Sequence, residues 1–200
     1  VWTSIGKHVP DYDGIREEGQ RYVRFGRYHW PAVKVRQEFP EIYRHCKSVA
    51  IVRNPWSWVL SAYHYARGRR GHPFHQAAVT LSFEDFVVHY AEHEKRDMTH
   101  FVCDRDGRII VDRVLRFESF AQEVIPALHE LFGYTEIPHL NQSRASELDF
   151  CDMYTLRSHR AIVERYRRCI DTLNYQDIEA AVAYRLLMKH HFAGCGGRAV

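Results

Sequence analysis

The sequence predicts an α/β fold, three layers deep (α/β/α) with a mostly parallel sheet. Short β-branched apolar runs, Val49–Val52 above all, alternate along the chain with stretches of helical periodicity. Val49–Val52 is too short for a helix and reads as a buried strand. Asn54 and Pro55 follow at once, a good N-cap and a residue suited to the first position of a helix, so the unit is strand, tight turn, helix. The 200 residues are 46% hydrophobic and 26% charged, enough for one globular domain with a real core.

Taken in order, residues 1–8 read as the end of a helix, and Arg21–Phe25 alternates as a strand that ends at Gly26. Pro31 starts a helix to about His45, with Val33, Val35, Phe39 and Tyr43 as core contacts. After the Val49 strand a helix spans 55–68, and a flexible basic loop runs from Gly68 to Pro73. Ser82 opens a helix to about Lys95. Arg108–Asp112, running into Val114 and Leu115, is strand-like. Phe120, Val124, Leu128 and Leu131 recur at helical spacing, although Pro126 kinks or delays that helix and Gly133 ends it. Residues 134–152 form a loop. A long helix then carries Ile162, Tyr166, Cys169 or Ile170, and Leu173 on one face, and Asp177 caps a last helix to about His190.

The net charge of +3 is too weak to argue for nucleic acid but suits a site that attracts an anion. The five cysteines include no C-x-x-C pair, so buried thiols in a reduced, cytoplasmic setting are expected. No apolar run reaches the length of a membrane span, and membrane association is not visible in this chain.

The chemistry concentrates at the strand-turn-helix unit. Arg53 stands at the carboxyl end of its strand, where ligands of open α/β sheets collect. A helix N-terminus follows, and an Arg fork matches phosphate. Ser61 lies seven residues into the helix, about two turns, on the face of its entrance. The plain alternative is an Arg on a turn and a Ser bonded to its own backbone.

The pattern Arg53-Asn54-Pro55, then Ser61 and Tyr63, resembles the 3′-phosphate signature of the sulfotransferases that use 3′-phosphoadenosine 5′-phosphosulfate (PAPS), carbohydrate branch. Asp106-Gly107 with Val111-Asp112 and Arg116-Phe117-Glu118 is similar to that family's D-G-x-x-x-V-D-x-x-x-R-F-E block. His139-Leu140-Asn141, Ser143 and Arg144 resemble its H-L-N-x-S-[KR] block, and Tyr154-Thr155, Ile162-Val163, Tyr166, Asp171 and Tyr175 resemble its C-terminal helix. The resemblance covers roughly residues 1–175 in family order. It implies a P-loop-like fold, PAPS as co-substrate, no metal, and a hydroxyl of a carbohydrate or glycoconjugate as acceptor. Arg53 and Ser61 would grip the 3′-phosphate and Arg144 would reach the donor phosphates. His29 is the implied general base, with an imidazole suited to neutral pH. Glu118 is the second candidate for that role, although the R-F-E block more often pairs charges beside the site. Acceptor pockets vary in loops, here 66–81 and 134–152.

The family's phosphosulfate loop with its Lys is not visible near Val1, so it is expected upstream or displaced. The tail, with Gly194, Gly196, Gly197 and Arg198, offers the Gly-rich alternative. In that reading Gly196 and Gly197 wrap the 5′-phosphosulfate, Arg198 supplies charge, and Met188–Phe192 is a strand; otherwise the tail is a frayed helix end. Two other functions stay open: a non-catalytic nucleotide- or glycan-binding remnant, and a P-loop-type kinase, for which neither a Walker-A loop nor Mg²⁺ ligands are found. His89, Glu92 and His93 match H-x-x-E-H, and Asp104–Gly107 matches the start of a calcium loop, but an exposed helix face and a turn are the expected readings, since Leu115 holds the loop's twelfth position.

Overall fold

The structure is a computed structural model that describes residues 30–132 and 153–185. The expected Arg21–Phe25 strand, His29, the 134–152 loop with Arg144, and the tail with Gly196, Gly197 and Arg198 lie outside the described residues. The described residues fall into two compact units, 30–53 with 96–132 and 54–95 with 153–185.

In the first unit α1 (Ala32–Glu38) and α2 (Pro40–His45) stand where one helix was expected. Pro40 has no N–H to continue the helix, and its ring disfavours helical geometry at the residue before it. Phe39 accordingly sits at φ −138°, ψ 63°, and the chain restarts with Pro40 as first residue of α2. Val35, Phe39 and Ile42 still form one apolar cluster, joined by Trp30 and Cys46. Ile42 and Ala32 are buried in addition to the expected Val35 and Phe39, whereas Val33 and Tyr43 are only half-buried.

β1 (Val49–Val52) pairs in parallel with β2 (Arg113–Arg116), in the register Val49↔Arg113 to Val52↔Arg116. This two-stranded sheet is the one sheet among the described residues, which are otherwise mostly helical. The strand expected over 108–112 begins later. Ile109 makes only an antiparallel bridge with Cys103, across a turn in which Gly107 takes φ 86°. Asp104 shapes that turn, its carboxylate accepting from the backbone N–H groups of Asp106 and Arg108. A short helix, Met98–Val102, precedes it, and its N-cap is Asp97.

Beyond β2 the chain tightens into a 3₁₀ turn (Phe117–Ser119), opens into a π-helical turn (Phe120–Val124) and settles into an α-helix, Ile125–Phe132. Pro126 thus falls in the first turn of the α-helix, where a missing N–H costs little. Leu115, Val124, Ala127 and Leu128 close a second apolar cluster, with Val49, Ile51 and Phe120 packed against it.

The second unit is a helical packing. Its first helix, Pro55–Gly68, contributes Trp56, Val59, Leu60 and Tyr63; Phe83–His93 contributes Phe86, Val87 and Tyr90; and Leu156–Thr172 contributes Ile162, Tyr166, Cys169 and Ile170. The long helix starts with a capping box, Thr155 accepting from Ser158 N–H while Ser158 Oγ accepts from Thr155 N–H. Thr155 also donates to Glu84, and Arg157 meets Asp85 at 2.7 Å, so the beginnings of two helices are tied together. Residues 179–185 are helical, and Asp177 caps them by accepting from Glu179 N–H, as its position predicts.

The segment 66–81, expected as a variable loop, is built structure. It holds the end of the 55–68 helix, a turn, and a helix from His75 to Thr80. Arg67 donates to Tyr63 Oη and to the Ala78 carbonyl, and His75 Nδ1 lies 2.8 Å from the Ala66 carbonyl oxygen, which pins the turn from both sides.

Candidate functional site

The parallel register decides what meets at the sheet's carboxyl edge. Val52 pairs with Arg116, so the residues immediately beyond the ladder are Arg53 on one strand and Phe117 on the other. The Arg53 guanidinium lies over the Phe117 ring, 4.5 Å from its centroid. Burial pulls the Arg53 pKa below its ordinary value, and the neighbouring Glu118 carboxylate works against that shift. Arg53 is therefore a half-buried cation held by a ring face and a nearby negative charge. Phe117 remains 42% exposed. It is braced by Phe120 at 5.6 Å and 61°, and Phe120 packs in turn on the Leu115 cluster.

The opposite edge of the same strand pair is closed. Asp112 accepts from both the backbone N–H (2.8 Å) and the hydroxyl (2.7 Å) of Ser48, while Ser48 Oγ accepts from Asp112 N–H (2.9 Å). Those bonds hold the Asp112 carboxyl below its ordinary pKa, with Lys47 contributing from 3.5 Å. In this block Asp112 thus clamps the start of the ladder, whereas Phe117 and Glu118 lie at the end where Arg53 stands.

The helix that follows Arg53 begins as the Asn54-Pro55 pair predicts. Asn54 Oδ1 accepts from Trp56 N–H (3.0 Å) and Ser57 N–H (3.3 Å), and the Asn54 carbonyl accepts from Trp58 N–H (2.8 Å). Pro55 has no N–H. The first-turn N–H groups that an anion at this helix start would use are therefore already bonded. Ser57 Oγ donates to the Asn54 carbonyl, whereas the half-buried Ser61 hydroxyl, one turn further on, makes no hydrogen bond among the described residues. Of the two readings of Ser61, the backbone-bonded one is not what is seen. The first turn is fixed from outside by Tyr154, whose buried hydroxyl donates to the Trp56 carbonyl at 2.8 Å, and by the His159 ring stacked on Trp56 at 5.5 Å and 9°. The Tyr154-Thr155 pair thus secures the helix start and the capping box of the long helix.

Among the sequence-predicted site residues, the structure places Glu118 beside Arg53 and places Ser61 on the helix that Asn54 caps. His29, Arg144, Gly196, Gly197 and Arg198 lie outside the described residues. Phe117 is the contact that sequence reasoning did not single out. It stood inside a recognised block, but its pairing with Arg53 depends on a strand register that no local pattern encodes.

The H-x-x-E-H pattern lies on the surface of the Phe83–His93 helix. His93 Nδ1–H donates to the His89 carbonyl at 2.7 Å, and the two ring centroids lie 4.1 Å apart with the planes tilted by 30°. No group of three His, Cys, Asp or Glu able to hold a metal occurs among the described residues, and none of their helices is long and apolar enough to cross a membrane. Cys103 and Cys169 are buried free thiols, and Cys46 is a partly buried one.

Comparison with protein-family models, with curated proteins and with solved structures finds no match for this chain.

Proposed function

We propose that the protein is a PAPS-dependent sulfotransferase of P-loop-like, three-layer α/β fold that transfers a sulfuryl group to a hydroxyl of a carbohydrate or glycoconjugate. One observation carries the reading: Arg53 leaves the carboxyl end of a parallel strand, rests on Phe117, and leads directly into a helix capped by Asn54 that bears Ser61. A half-buried cation at such a strand end suits a doubly charged phosphate, and the order of the sequence blocks gives that phosphate its place on the donor.

In the reaction a base removes the acceptor hydroxyl proton, and the oxygen attacks sulfur. The bond between sulfur and the 5′-phosphate oxygen breaks, and its electron pair leaves with the 3′,5′-bisphosphate nucleotide. Arg53 and Ser61 would hold the 3′-phosphate, and His29 is the base this reading assigns, with Glu118 as the second candidate. Arg144, Gly196, Gly197 and Arg198 would serve the remaining donor phosphates.

The test is transfer of labelled sulfate from PAPS to a panel of glycans, with the bisphosphate nucleotide released in equal amount. His29→Ala is expected to lower turnover by roughly 10²–10⁴ with donor affinity intact. Nucleotide binding without transfer to any acceptor would instead identify a non-catalytic remnant, and Mg²⁺-dependent turnover of ATP a kinase. Retained turnover in His29→Ala moves the assignment of the base to Glu118.

A further inference from the structure

We infer that Phe117 is a positioning residue for Arg53, setting the direction of the guanidinium and thereby the preference for a 3′-phosphorylated nucleotide. The inference deepens the donor reading above and rests on it.

An Arg at a strand end has several rotatable bonds, and fixing them on binding costs affinity. Here the register places Phe117 directly across from Arg53, and the ring face lies 4.5 Å from the guanidinium carbon. A guanidinium resting on a ring face has already lost part of its rotational freedom before an anion arrives. The ring is not itself loose. Phe120 stands at its edge and belongs to the packed cluster of Leu115, Val124 and Leu128. Order thus passes from the core to Phe120, to Phe117 and to Arg53.

Glu118 supplies the second hold. Its charge favours the protonated guanidinium that burial disfavours. A bound phosphate would take over that role, so Glu118 keeps the cation in place for the ligand that replaces it.

Calorimetry with adenosine 3′,5′-bisphosphate and with adenosine 5′-phosphate tests this on Phe117→Ala, Phe117→Leu, Phe117→Tyr and Arg53→Ala, with melting curves to show that each is folded. Phe117→Ala and Phe117→Leu are expected to weaken the bisphosphate about three- to tenfold and to leave the monophosphate unchanged, while Phe117→Tyr binds within about twofold of the parent. Leu keeps apolar contact with Phe120 but has no ring face, so a Leu variant that binds like the parent overturns the inference. So does an equal loss for both nucleotides, which would mean that the ring touches the nucleoside. Arg53→Ala separates the two levels. If it loses no preference for the bisphosphate, the donor reading itself fails and the inference with it; if it does, while Phe117→Leu binds as the parent, only the role of Phe117 fails.

Discussion

The two ends of the β1–β2 pair are built on opposite plans. At the amino end Ser48 and Asp112 exchange three hydrogen bonds in a closed set, every partner in reach of the other. At the carboxyl end a cation is held over an aromatic ring, with a carboxylate acting through its charge. The first arrangement leaves nothing for a ligand to add. The second holds a half-buried cation, the group that the proposed donor phosphate would meet. The same two strands therefore differ along their length, with a closed hydrogen-bonded set at one edge and the cation of the proposed site at the other.

Arg53 is where the difference between the two ends is tested most directly. Arg53→Ala should weaken a 3′-phosphorylated nucleotide about 10- to 150-fold, the ~1.5–3 kcal/mol of hydrogen bonds to a charged group. The melting temperature should move by less than about 3 °C. A collapse in stability with binding merely following it would make Arg53 a structural residue.

Asp112→Asn should show the reverse: folding stability lower by about 1 kcal/mol, discounted for a side chain that is 43% exposed, with nucleotide binding unchanged. The sign with pH follows from the depressed carboxyl pKa. Its contribution is complete above the ordinary Asp value and is lost as pH falls through the depressed one. Denaturant titrations of parent and variant should converge in acid, and a gap that persists there assigns the loss to packing instead. Lys47→Ala is the smallest step. Its ammonium is 78% exposed and 3.5 Å from Asp112, so the change in stability should stay within about 0.5 kcal/mol in the same titration. A larger loss would mean that the clamp depends on Lys47 and not on Ser48.

Legibility in the sequence tracked how local the cause is. Val49–Val52, the Asn54 cap and the long helix over 156–172 were readable, because a β-branched run, an Asn-Pro pair and a repeated apolar face act within a few residues. The break at Phe39 was readable in principle from Pro40, but the apolar spacing across it continues and masks the interruption. The helices His75–Thr80 and Met98–Val102 were not predicted. Each is too short to show a period or to nucleate alone. The first is held by distant contacts such as Arg67 to the Ala78 carbonyl, the second by its Asp97 cap and by Thr99 and Val102 in the interior. Arg53 and Ser61 are singled out by their motif alone. Their surroundings could not, since Ser48 and Asp112 lie 64 positions apart and only their pairing brings Phe117 opposite Arg53.

The Asn54 cap has a consequence for how such a protein can change over generations. A loop that wraps phosphate with its own amides ties recognition to backbone shape, and losing one tends to deform the other. Here the amides of the first turn are satisfied by Asn54 whether or not an anion is present. In the proposed donor site recognition would then rest on side chains and not on these amides. Replacing such a side chain would then leave the helix start as it was.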